Sequence, residues 1–149
     1  MTSSQTANPT DPAGSANASQ TRPETLEGLH AGDLRIDSQL DTTVTPPALR
    51  LLWTGRSSDR HPASVLDPYF VKAVAAAVAR SAAIELHFEK LDHFNSSTIT
   101  SVIQMIQDAL ERKVRITIFY DHQLKWQKLS FDVLRVFAKG DDVFQIKAV

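Results

Sequence analysis

Residues 83–91 read AIELHFEKL, and within them Ile84, Leu86 and Phe88 alternate strictly with Glu85, His87 and Glu89. A period of two puts the apolar side chains on one face of a strand and the charged ones on the other. A sheet covered on both faces would show continuous apolar strands instead. This stretch therefore restricts the chain to a sheet with one buried and one open face, its helices packed on a single side.

Three further segments have strand character. ALRLLWTG (48–55) aligns Leu49, Leu51 and Trp53. VRITIFYD (114–121) alternates Val114, Ile116, Ile118 and Tyr120 with Arg115, Thr117 and Phe119. VFQIKAV (143–149) is rich in β-branched and aromatic residues. Helical patterns lie between them. Asp67-Pro68 reads as an N-cap and first helical residue, because a first turn tolerates proline's missing N–H. That helix runs to about Ser81 and is expected to bury Phe70, Val71, Val74 and Val78. In the second, Ile99, Val102, Ile103, Ile106, Ala109 and Leu110 form one stripe, with Arg112 and Lys113 favourably placed at its C-terminal end. A third runs from near Leu124 to Lys139 and is stopped by Gly140. Strands alternating with helices predict an α/β domain with about four strands, mainly parallel or mixed, and helices on one face.

Residues 1–33 are dominated by small and polar residues with few large apolar ones, so a disordered tail is expected there and a single domain over 34–149. The chain has no cysteine, which excludes disulfides and thiolate metal sites. No apolar run is long enough to span a bilayer, and the N-terminus lacks a secretory pattern, so a cytoplasmic protein is expected. Residues 1–47 carry two arginines against six carboxylates, a net −4, which leaves +3 on the rest. That surplus is too small and scattered to argue for nucleic acid.

The candidate site is LDHFNSSTIT (91–100), where a strand pattern gives way to a helical one across Asn95, Ser96, Ser97 and Thr98. A helix start needs one polar cap, worth about 1 kcal/mol over alanine. One of Asn95, Ser96 or Ser97 takes that role, and Thr98 reads as an ordinary surface residue. A second hydroxyl beside the cap has no necessary structural task, and a phosphate on Ser96 would add about −1.5 to −2 charges there. Asp92, His93, Asp121 and His122 fall at two strand ends, but their spacing matches no metal motif. No glycine-flanked nucleophile elbow surrounds the serines, so neither a metal nor catalysis is expected. His87 reads as solvated. Trp126, between Lys125 and Lys128, is either an interface anchor or a lid over the sheet end.

The turn resembles the helix-two signature of STAS domains, the fold of anti-sigma-factor antagonists. More closely, Leu91-Asp92-His93-Phe94-Asn95-Ser96-Ser97-Thr98 is similar to the corresponding strand end of the SiaC-like branch. Gly55-Arg56-Ser57 and Tyr69-Phe70 stand where that branch has its Gly-x-Ser and its aromatic first helix, and the likeness spans roughly residues 45–149. Thr98 and Ile99 stand where the standard STAS turn has glycine, and Asn95 replaces its aspartate. The resemblance implies a non-enzymatic, cofactor-free bacterial switch with Ser96 as phospho-acceptor and Asn95, Ser97 and Thr98 beside it. Phe94, Ser101, Lys125, Trp126 and Lys128 would form the partner surface. The partners it implies are an HATPase-type protein kinase and a PP2C-type phosphatase, with a cyclase or an anti-sigma factor as further candidates. A rival reading is a sensor holding a nucleotide or metabolite phosphate at the same helix N-terminus.

Overall fold

A computed structural model describes residues 26–138 and 143–149. The tail over 1–25 and the stop at Gly140 lie outside the described residues. Among the described residues, seven strands form one sheet. In chain order they are β1 (Leu29–Ala31), β2 (Leu34–Asp41), β3 (Ala48–Ser57), β4 (Ala83–His87), β5 (Leu91–Phe94), β6 (Ile116–Tyr120) and β7 (Phe144–Ala148). The helices are α1 (Ala63–Arg80), α2 (Ser96–Glu111) and α3 (Lys125–Leu134), the last extended by a 3-10 turn at Arg135–Phe137.

Spatially the strands run β1-β2-β3-β4-β6-β7. β1, β2 and β3 are antiparallel neighbours, while β3, β4, β6 and β7 pair in parallel. The expected four strands are all present. The additions are the β1–β2 hairpin, which starts before the boundary set at residue 34, and β5. The strand expected over 83–91 breaks after His87, and β5 resumes the pairing with β3 from Gly55 onward.

The buried face is the expected one. Leu49, Leu51, Trp53, Ile84, Leu86, Phe88, Ile116 and Ile118 are all buried. The opposite face is a polar ladder across strands. Arg50 reaches Asp41 at 2.8 Å and Glu85 at 3.0 Å, and His87 contacts Glu85 at 2.8 Å and Glu89 at 3.2 Å. His87 is therefore not simply solvated: it is half-buried and its ring stacks on Phe119, centroids 4.5 Å apart.

α1 departs from expectation at its start. It begins at Ala63, so Pro68 lies inside the helix. Burial of Leu66 accounts for the extra turn upstream, since the missing N–H removes only one helical bond there. Starting one turn earlier, α1 buries Leu66, Tyr69, Phe70, Ala73, Val74 and Ala77 at helical spacing, and Val71 and Val78 fall off the stripe, 56% and 46% exposed. α2 matches its stripe, with Val102, Ile106 and Ala109 buried and Ile99, Ile103 and Leu110 packed at the margin. α3 ends at Leu134, earlier than expected, and its chain tightens into the 3-10 turn.

Candidate functional site

The turn between β5 and α2 separates its four polar residues into two pairs. Asn95 is the N-cap, extended at φ −95°, and its Oδ1 accepts from the Thr98 backbone N–H at 2.9 Å. Its Nδ2 donates to the Asp59 carbonyl at 2.7 Å, and its own backbone N–H donates to the Ser57 carbonyl at 3.0 Å. Thr98 is not a surface residue. It is fully buried, with Oγ1 2.8 Å from Asn95 Oδ1 and 2.6 Å from Ser57 Oγ. The Asn95 amide oxygen can only accept, so Thr98 donates to it and receives the Ser57 hydroxyl proton. Ser96 and Ser97, by contrast, are exposed. Two of the four polar groups hold the turn to the end of β3, and two face solvent.

The same sheet edge is pinned by Gln127, a fully buried residue that the sequence reading did not single out. Its Nε2 donates to the carbonyls of Phe88 at 2.6 Å and Leu91 at 3.0 Å, the two ends of the break between β4 and β5. Its Oε1 accepts from the Asp121 backbone N–H at 2.8 Å, at the end of β6. One side chain thus ties both ends of the break in the strand to the end of β6. Its only trace in the sequence is a glutamine on the otherwise apolar stripe of α3 that includes Phe131 and Leu134.

Among solved structures, the chain is similar to an uncharacterised protein of the DUF3478 family from Shewanella loihica, reported with a SpoIIAA-like fold. The TM-score is 0.51 at 14% identity, over 80% of this chain and 91% of that one. The fold is SpoIIAA-like. At this identity the likeness concerns architecture alone. No family model matches the chain, and no curated protein matches it.

Within this SpoIIAA-like domain the residues expected on the partner surface divide. Phe94 and Ser101 are buried, so they support the surface from beneath instead of forming it. Trp126 is half-buried, its ring set edge-on to Phe94 at 5.2 Å and 6.2 Å from His93. It closes the sheet end beside the 95–98 turn and keeps part of its surface outward. Lys125 and Lys128 are exposed. Lys128 pairs with Asp132 at 3.0 Å, and together with Arg135 it holds that carboxyl below its ordinary range. The outer side of α3 continues as Leu129 and Val133, 63% and 69% exposed.

Of the remaining polar candidates, Asp92 is exposed, and Asp121 and His122 have local tasks. Asp121 accepts from the Gln123 backbone N–H at 2.9 Å, and His122 Nδ1 lies 2.7 Å from the Val149 carbonyl oxygen. No cluster suited to a metal occurs among the described residues, and none of their helices is long and apolar enough to cross a membrane. A cleft of about 300 Å³ lies between the β1–β2 turn and the start of α1, lined by Leu34, Arg56, Asp59 and Leu66 among others. Its lining does not include Asn95–Thr98, although Ser57 and Asp59, which bond to that turn, belong to it.

Proposed function

We propose that the chain is a non-enzymatic partner-switching regulator of the anti-sigma-factor-antagonist, SiaC-like kind. Its partner is a serine/threonine kinase or a signalling enzyme such as a cyclase, bound over the β5–α2 turn in the unphosphorylated state. One observation carries the reading: Asn95 and Thr98 supply the cap and the tie to β3, which leaves the Ser96 and Ser97 hydroxyls exposed with no structural task. Ser96 is the acceptor. As the first residue of α2 it sits where the helix dipole favours negative charge, so a phosphate is accommodated without unwinding the helix. The added charge and bulk stand where a partner must approach closely, and binding is lost. A PP2C-type phosphatase restores it.

The test is phosphosite mapping by mass spectrometry on the chain recovered with its kinase, followed by partner binding of two variants. Ser96→Ala is expected to bind constitutively and Ser96→Asp to lose the partner. If both bind every recovered partner as the wild type does, the switch is wrong.

A further inference from the structure

Helices α1 and α2 pack against one another, and a groove of about 280 Å³ runs between them, lined among others by Asp67, Phe70, Val71, Met105, Asp108 and Arg112. Its charge is incompletely matched. The Asp67 carboxylate makes no hydrogen bond or ion pair among the described residues; its Oδ1 is sealed from solvent, and its other oxygen keeps access. A carboxylate that loses part of its hydration and gains no donor is held at a cost. Across the groove, Asp108 is met by Arg112 at 3.4 Å, so its charge is answered within the chain. Asp67 is the surplus anion. The walls beside it are apolar: Phe70 and Met105 are buried, and Val71 stands 56% exposed at the lip.

We propose that this groove receives a lysine side chain presented by a partner protein, the aliphatic stem along Phe70, Met105 and Val71 and the ammonium on Asp67. A bare inorganic cation would leave the apolar walls wet, and an apolar side chain would bury the carboxylate further without a donor. A single open oxygen suits a point charge better than a planar guanidinium, which needs two acceptors. Long cationic side chains bury their stems on apolar surface in this way. The groove also adjoins the turn, because Ser97, Ser101, Gln104 and Asp108 recur at helical spacing down this side of α2. A partner seated over Ser96 and Ser97 can therefore reach it. The inference rests on the chain being a protein-binding module, and not on modification of Ser96.

The experiment is an amide chemical-shift titration of the full-length, isotope-labelled chain with an acetylated, amidated Ala-Ala-Lys-Ala-Ala peptide. The same peptide with norleucine in place of lysine keeps the stem and removes the charge. Shifts confined to the segments 67–72 and 101–108, with no response to norleucine, are expected. Asp67→Asn removes the surplus charge, and Gln104→Lys, at an exposed position lining the groove, fills the groove from within. Each is expected to weaken the lysine peptide about tenfold, the scale of one charge-assisted contact. Should Asp67→Asn perturb folding, Gln104→Lys decides alone. Shifts elsewhere, equal binding of the norleucine peptide, or wild-type binding by a folded variant would overturn the proposal. The titration contains neither kinase nor phosphate, so its outcome is independent of the Ser96 experiment.

Discussion

At the scale of single residues, the hydroxyls of one turn have opposite roles. Thr98→Val keeps the shape but removes both the donor to Asn95 and the acceptor for Ser57. Asn95 keeps the Thr98 backbone N–H, but the buried Ser57 hydroxyl loses its acceptor, which should cost about 1–3 kcal/mol in urea denaturation, whereas Ser96→Ala and Ser97→Ala should stay within about 0.5 kcal/mol. Equal losses at Ser97 and Thr98 would contradict the division into inward and outward pairs. The cluster itself was legible in the sequence, because polar residues before a helical stripe mark an N-terminus. Which hydroxyl turns inward was not legible, since Thr98 is held by Ser57 on another strand. Gln127 escaped notice for the same reason: its partners, Phe88, Leu91 and Asp121, belong to three different segments.

At the scale of elements, β3 changes partner along its length, and Gly55 stands where it does so. Its φ is +84°, and an added Cβ would lie 1.9 Å from the Asp33 carbonyl oxygen. Gly55→Ala should therefore cost at least about 2 kcal/mol, combining backbone strain with displacement of the β1–β2 turn. Equilibrium unfolding gives the loss, and hydrogen exchange over residues 29–36 should show faster opening. Unchanged stability would mean that the hairpin yields freely around a side chain. The hairpin was hard to read because β2 buries only Leu34 and Ile36, and its distal half has Leu40 as its one apolar residue. The start of α1 misled in the opposite direction: Asp67-Pro68 has the local signature of a first turn, yet burial of Leu66 extends the helix beyond it.

At the scale of the whole molecule, Tyr69 ties the N-terminal approach to the helical layer, its hydroxyl donating to the Glu27 carbonyl at 2.9 Å. Burial, and then the Asp37 carboxylate, push its phenol up to about 12, against about 10 in an unfolded chain. Below pH 10 both states hold the proton and this contribution to stability is whole. Between 10 and 12 only the folded state holds it, so stability falls as pH rises, by about 2 kcal/mol across the window. Tyr69→Phe should abolish that part of the slope when both proteins are unfolded in urea at each pH. An identical slope in the variant would remove Tyr69 from the account. By itself the sequence determined the one-sided sheet, four of its strands, the stripe of α2 and the place of the candidate turn, because periodicity and capping act over a few residues. The tertiary structure alone decided the interrupted strand, the inward turn of Thr98, the bridging by Gln127 and the unmatched charge of Asp67. Each of these depends on groups that meet only when distant segments pack together and displace the water between them.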